Sequence, residues 1–124
     1  MKPRCAFLLA AFALAGCDIP GRLVFKNRTG APAHVRLLIQ ASERTNEIVL
    51  VLGPEGEQRT RYVSFGFGEW FKDSGLDRHV ERLERIDLVT ERDSVSISDK
   101  AEIRAHLIAG RRGLAKAVCV WKVE

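Results

Sequence analysis

Short segments in which apolar and polar residues alternate fill much of the chain after residue 21, and turns rich in glycine and proline separate them. Residues 33–40 show the pattern most clearly, because Val35, Leu37 and Ile39 fall on one face and polar residues on the other. An alternation with a period of two residues is typical of strands that bury one face. We therefore expect a mainly β or α+β fold, an antiparallel β-sheet or sandwich of about six to seven strands with two short helices.

Two neighbouring segments, residues 22–28 and 33–40, flank a turn that contains Gly30 and Pro32, and we expect them to pair as an antiparallel hairpin. Residues 47–52 contain an uninterrupted apolar run, which predicts a strand covered on both faces. The other predicted segments are a polar loop at residues 42–46, strands at residues 58–65, 86–90 and 95–97, and a long, central final strand at residues 114–123.

Two segments late in the chain have the apolar spacing of short helices. The first covers residues 76–85. The second covers residues 100–109, where Ser98 or Asp99 is a candidate N-cap and Gly110 a candidate C-terminal stop. These helices interrupt the series of strands, which is why the α+β class is retained beside the all-β class.

Aromatic residues and glycines interleave at residues 65–71. One interpretation is an aromatic binding edge formed by Phe67, Trp70 and Phe71, which would meet a partner or the bilayer. The other, which we prefer, is a strand that leaves the sheet through a bulge while its aromatic side chains close one end of the core. No lysine followed by serine or threonine comes after these glycines, so they do not form a phosphate-binding loop.

The first residues of the chain have the plan of an export signal, with a positive start, an apolar run without charge at residues 5–13, and small residues before Cys17. The apolar run is shorter than the roughly 20 residues that a membrane-spanning helix needs. The sequence Leu14-Ala15-Gly16-Cys17 resembles the lipobox of bacterial lipoprotein precursors. The resemblance covers the signal alone, and the remaining chain resembles no family that we recognise.

The lipobox resemblance implies a thioether-linked diacylglycerol on the Cys17 thiol, cleavage between Gly16 and Cys17, and acylation of the new amine by a fatty acid such as palmitate. The chain then divides into a signal peptide at residues 1–16, a lipidated cysteine with a short tether at residues 17–21, and a single globular domain at residues 22–124. We expect a protein attached to the cell membrane by lipid and facing the periplasm. Asp18 resembles the signal that retains lipoproteins in the inner membrane of enteric bacteria, which favours that membrane over the outer one.

Charge and cysteine content limit the partners and the chemistry of the mature chain. The sequence has 20 lysines and arginines, of which Lys2 and Arg4 leave with the signal. The mature chain therefore has 18 basic and 16 acidic residues. This small excess does not indicate nucleic acid binding. Cys5 is removed and Cys17 is lipidated, which leaves Cys119 without a partner for an intramolecular disulfide.

Neither a metal site nor a catalytic site is evident in the sequence. The histidines, His34, His79 and His106, lack metal-ligand spacing, so we expect no metal and no cofactor. Cys119 with His106 as its base is a candidate nucleophile, but Cys119 lies in an apolar strand, where a thiol acts as a small hydrophobe. We expect a non-catalytic, lipid-anchored envelope protein that binds another envelope protein. An inhibitor or immunity protein against a toxin or hydrolase is the alternative, and a small periplasmic enzyme is less favoured.

Overall fold

The structure, a computed structural model, describes residues 20–67, 73–113 and 118–124. These residues form eight strands and two α-helices, which confirms the mainly β or α+β class and adds one strand to the predicted range. The strands are β1 (Pro20–Asn27), β2 (Ala33–Ala41), β3 (Arg44–Leu52), β4 (Thr60–Phe67), β5 (Leu83–Val89), β6 (Ser94–Ile97), β7 (Arg111–Arg112) and β8 (Val118–Val123). The helices are α1 (Asp73–Arg82) and α2 (Lys100–Ala109), and a single 3-10 turn covers Gly56–Arg59.

The strands form two sheets of four, in the orders β4-β1-β8-β7 and β3-β2-β5-β6. The second sheet is antiparallel throughout, whereas β1 pairs with β8 in parallel and with β4 antiparallel. The predicted hairpin between the first two strands is therefore wrong, because β1 and β2 belong to different sheets. The turn at residues 29–32 carries the chain from one sheet to the other, and both strands find their partners further along the sequence.

One apolar core joins both sheets and both helices. Phe25 of β1, Leu37 of β2 and Leu107 of α2 are almost completely buried in it, and the rings of Phe25 and Trp121 lie 5.9 Å apart. Burying one such side chain contributes roughly 1.5–3 kcal/mol. All core residues of the described chain lie between Leu23 and Val123, so residues 17–124 contain the whole of this core.

Local capping explains where α2 begins, whereas the strand that follows α1 determines where α1 ends. The Asp99 carboxylate accepts a hydrogen bond of 2.9 Å from the backbone N–H of Ala101, and α2 covers residues 100–109, as predicted. The predicted first helix at residues 76–85 ends earlier, at Arg82, because the following residues enter β5. The Lys100 ammonium donates to the carbonyls of Val80 and Glu81 at 3.1 and 3.0 Å and also to that of Leu83. This lysine stabilises the C-terminal end of α1.

Candidate interaction surface on the edge strand β3

Strand β3 lies at one end of the second sheet, and in the described chain only β2 pairs with it. The prediction that this apolar segment is covered on both faces is wrong. Val49 and Val51 are 49% and 68% exposed, whereas Leu52 is fully buried. Alternate residues of β3 therefore face the core and the solvent, and the solvent face of this edge strand is apolar.

The connection from β2 to β3 is a hairpin loop of two residues, Ser42 and Glu43, where the sequence predicts a polar loop of five residues. Ser42 has a φ of 58°, the positive value that the first central residue of a type II′ turn requires. In such a hairpin the flanking pair, Ala41 and Arg44, exchanges backbone hydrogen bonds. By alternation, the backbone N–H and C=O groups of the odd-numbered residues, Val49 and Val51 among them, point away from β2 toward the open edge.

Charges beside the exposed valines are already paired. Arg36 lies opposite Val49 on the neighbouring strand, and its guanidinium contacts the Glu47 carboxylate at 3.0 Å. On β5 the guanidinium of Arg85 contacts the carboxylate of Asp87 at 3.1 Å. The surface next to the open edge is therefore apolar with internally neutralised charges, which suits contact with another apolar strand rather than with a charged ligand.

The C-terminal end of β3 is held by its turn. The Asn27 side-chain amide donates to the Gly53 carbonyl at 2.9 Å, and the Gly53 N–H donates to the Gln58 carbonyl at 2.8 Å. A Cβ at Gly53 would lie 2.6 Å from the Cβ of Gln58, so this position requires glycine. The edge strand is thus held at one end by the hairpin and at the other by the turn.

Most of the predicted site residues lie outside the described residues: Gly16 and Cys17 of the cleavage and lipidation site, and Trp70 and Phe71 of the aromatic edge. The backbone of Phe67 is described and pairs with Pro20, while Phe65 pairs with Gly21. Gly66 is the extra residue between these two pairs, so the register of the β1–β4 ladder shifts there as in a β-bulge. The side chain of Phe67 lies outside the described part of the chain.

The geometry at Cys119 is that of a structural thiol. Cys119 is 1% exposed, and burial raises its pKa to about 11, although the nearby Arg111 guanidinium acts to lower it. At pH 7 only about one thiol in ten thousand is then ionised, whereas nucleophilic cysteines depend on the thiolate. His106 stacks on the Trp121 ring with centroids 4.2 Å apart. The aromatic contact gives His106 a packing role.

His79 gives the domain a specific pH dependence. It is buried in α1, and its pKa is lowered by burial first and then by the positive charges of Arg82 and Arg78. Below pH 6.5 the unfolded chain takes up a proton at His79 that the folded chain resists, so stability falls as the pH drops from 6.5 toward the folded pKa. Above about pH 8 His79 is neutral in both the folded and the unfolded chain, so it contributes almost no pH dependence there.

We expect the free energy of unfolding to decrease between pH 7.5 and pH 5, and to decrease less in His79→Gln, which removes the titrating group at similar size. Urea unfolding of both proteins at the two pH values measures the difference. Equal pH dependence in the two proteins would contradict the assignment, whatever the stability of the variant at pH 7.5.

No direct signal in the sequence marks Val49 and Val51 as surface residues, because a continuous apolar run is the same in a covered strand and in this edge strand. Within residues 20–67, 73–113 and 118–124, no three histidine, cysteine, aspartate or glutamate side chains gather as metal ligands. None of the described helices is long and apolar enough to cross a membrane.

Comparisons of the chain with protein-family models, with curated proteins and with solved structures gave no match.

Proposed function

We propose that this protein is a lipid-anchored component of the bacterial cell envelope that acts by binding, and that β3 receives an extended segment of a partner protein. The observation that carries the proposal is the open edge of β3 with its two exposed valines. Addition of a strand to such an edge supplies affinity through backbone hydrogen bonds and specificity through alternate side chains.

Natural proteins commonly protect edge strands with charges, proline or bulges. The stretch from Ile48 to Leu52 has none of these, because its five residues are uncharged and pair with β2 without a register shift. A partner segment with apolar residues facing Val49 and Val51 would remove both side chains from water. This match defines the expected chemistry of the partner segment as an extended, alternately apolar peptide.

A segment of a different protein is a better occupant than a second copy of this chain. Self-pairing of β3 would bring together only the two exposed valines of each copy, and stable dimers bury about 1,200–2,000 Å² in total. A larger partner can add contacts beyond the inserted strand. An inhibitor or immunity protein against a toxin or hydrolase is one concrete form of this function.

Support for the anchor comes from the lipobox resemblance together with the start of β1. Only residues 18 and 19 separate Cys17 from Pro20, the first residue of β1. Three residues of extended chain span at most about 11 Å, so the domain would sit directly at the headgroups. The partner is then an envelope protein that comes within reach of this membrane surface.

The anchor and the edge are tested separately in the native bacterium. We expect Cys17→Ser to block lipidation and to leave the bond between Gly16 and Cys17 uncleaved, as shown by the absence of lipid label and of the mature amino terminus. A Cys17→Ser protein that is still cleaved at this bond and still sediments with membranes would contradict the anchor. That result would not test the proposed binding of a partner strand to β3.

To test the edge, a photocrosslinking residue replaces Val51, and we expect it to form an adduct with the partner protein in native membranes. Val49→Lys should reduce the yield of that adduct about 10-fold, because it places a charge in the contact between the strands. The matched controls are the crosslinker at Val95 and the substitution Val95→Lys, since Val95 is an exposed valine on the other edge strand, β6.

Mass spectrometry of the adduct locates the attachment point. Attachment within an extended segment of another protein, together with slower amide exchange at Val49 and Val51 when that protein is added, supports strand addition. An adduct between two copies, an adduct unaffected by Val49→Lys, or no adduct contradicts it.

A further inference from the structure

The outward face of the first sheet concentrates positive charge. We call it the basic face and define it by Arg22 and Lys26 of β1, Lys122 of β8 and Arg112 of β7, all exposed. Lys26 and Lys122 are direct partners in the parallel β1–β8 ladder. Arg22 pairs with Val118, which in turn pairs with Arg112, so two cross-strand rows each hold two cations.

Between the two cationic rows lies an apolar and aromatic row. Val24 pairs with Tyr62 on one side and with Val120 on the other. Tyr62 is 53% exposed, and the Arg22 guanidinium lies 4.9 Å from the centre of its ring. A surface that combines an exposed tyrosine with cations matches the chemistry of the membrane–water interface, where such rings are enriched.

The cations of the basic face are not neutralised within the described chain. No carboxylate there forms an ion pair with Arg22, Lys26, Arg112 or Lys122, and the one acidic residue beside them, Glu124, contacts Arg28 at 3.7 Å. The second sheet differs, since its outward arginines pair with carboxylates. Uncompensated charge on one sheet alone indicates an anionic partner for that face.

A groove of about 390 Å³ lies on the basic face beside the C-terminal end of α2. Lys26, Lys122 and Arg112 line it together with His106, and Glu124 also borders it. The Arg112 guanidinium is positioned by hydrogen bonds to the carbonyls of Ala109 and Arg111 at 3.3 and 2.7 Å. Three cations and one carboxylate therefore border this groove.

We propose that the basic face lies on the membrane and binds the phosphates of anionic phospholipid headgroups. The short distance in sequence between Cys17 and β1 favours a lipid surface over an acidic protein as the partner of this face. β1 begins at Pro20, three residues after Cys17, and Arg22 is its first outward cation. A lipid on Cys17 would therefore bring this face, rather than the second sheet, to the headgroups first.

This inference rests on the proposed lipid anchor and adds the orientation of the domain. A basic residue near an anionic membrane surface strengthens binding by about fivefold, so three of them contribute about 100-fold. The diacylglycerol on Cys17 would by itself give stable attachment, so the basic face would orient the domain rather than anchor it. The basic face would thus hold the domain flat and leave the β3 edge available.

The test supplies the anchor chemically, so its result does not depend on lipidation in the cell. A chain of residues 17–124, which contains the whole described core, is alkylated at Cys17 with a single C14 maleimide, since Cys119 is buried. Its partition is measured by sedimentation with vesicles of phosphatidylcholine alone and with 30% phosphatidylglycerol. We expect phosphatidylglycerol to strengthen binding about 100-fold at low salt, and added salt to remove most of the gain.

The triple variant Lys26→Gln/Arg112→Gln/Lys122→Gln should lose most of the gain from phosphatidylglycerol. The matched control, Arg44→Gln/Arg78→Gln/Arg82→Gln, changes the net charge equally at exposed positions outside the basic face and should keep it. Equal losses in both variants would overturn the proposal. Equal binding of the alkylated protein without substitutions to both kinds of vesicle would overturn it too. Binding of acidic proteins by the same face without any preference for phosphatidylglycerol would overturn it as well.

Discussion

Gly110→Ala is expected to lower the free energy of unfolding by about 3–4 kcal/mol, a large part of the 5–15 kcal/mol that stabilises a typical domain. Gly110 follows the last residue of α2 and precedes β7. A Cβ at this position would lie 2.1 Å from the carbonyl oxygen of Val120 and 2.9 Å from its carbon. Backbone atoms cannot turn away as a flexible side chain can, so either α2 or β8 must shift.

The shift would also break a hydrogen bond. The Val120 N–H donates to the Gly110 carbonyl at 2.8 Å, and the Gly110 N–H donates to the His106 carbonyl at 3.1 Å. The first of these bonds holds the end of α2 against β8, beside the groove of the basic face. We therefore expect Gly110→Ala to lower the thermal midpoint by roughly 20 °C and to weaken binding to phosphatidylglycerol vesicles.

Gly30→Ala is the control that separates steric overlap from backbone strain. Gly30 has a φ of 78°, which strains any residue with a Cβ, but no atom lies within 4 Å of the added carbon. The expected cost is only about 1 kcal/mol. Gly110 has a φ of −93°, which other residues adopt readily. Equal unfolding temperatures of the two alanine variants would contradict the predicted steric overlap with the Val120 carbonyl.

Elements defined by adjacent residues could be predicted from the sequence, and α2 is the clearest case. Its N-terminal cap at Asp99 and its stop at Gly110 are local signals, and both bounds agree with the structure. The end of α1 could not be predicted in the same way. Leu83 continues the helical spacing, yet it is the first residue of β5, where pairing with Ile39 of β2 determines its conformation.

Pairings between distant segments could not be predicted. Arg22 pairs with Ser64 on one side and with Val118 on the other, and nothing near Arg22 in the sequence specifies either partner. The same limit explains the edge strand β3. The apolar run around Val49 and Val51 predicts a strand, but its exposure depends on which strands flank it. The basic face likewise arises only when β1, β7 and β8 are brought together.

The two proposed contacts use different sheets. Outward charges of the second sheet are paired, as between Arg36 and Glu47, and this sheet provides the open edge of β3. The cations of the basic face, on the first sheet, form no ion pair with a carboxylate of the described residues, and β1 of this sheet begins three residues after Cys17 in the sequence. Binding of a partner strand and contact with the membrane therefore do not compete for the same residues.

Substitution of Asn27 is expected to have the second large effect on stability, about 3–4 kcal/mol for Asn27→Ala. Asn27 is fully buried at the end of β1, and its amide donates to the carbonyls of Ala31 and Gly53 at 2.7 and 2.9 Å. Its carbonyl oxygen accepts from the N–H and the hydroxyl of Thr29 at 3.0 and 2.7 Å. Loss of the side chain removes these bonds and leaves a cavity.

The bonds of Asn27 connect the turn after β1 to the turn after β3, so the loss should also loosen the far end of the proposed binding edge. Amide exchange near Gly53 is expected to accelerate more in Asn27→Ala than exchange in α2. Urea unfolding measures the change in stability. The control is Asn46→Ala, because Asn46 is exposed on β3 and should change stability by less than about 0.5 kcal/mol.

Asn27→Asp tests whether the two donated bonds carry the effect. The introduced carboxylate has nearly the same shape and can still accept from Thr29, but it turns an oxygen toward the carbonyls of Ala31 and Gly53. At pH 7 its cost should equal or exceed that of Asn27→Ala, because a buried charge loses its hydration. This site raises the pKa of the introduced carboxyl in the folded state, so protonation restores one donor and the cost should shrink as the pH falls toward 4. A cost that is independent of pH, or smaller than that of Asn27→Ala at pH 7, would mean that the amide donors do not hold the two turns together.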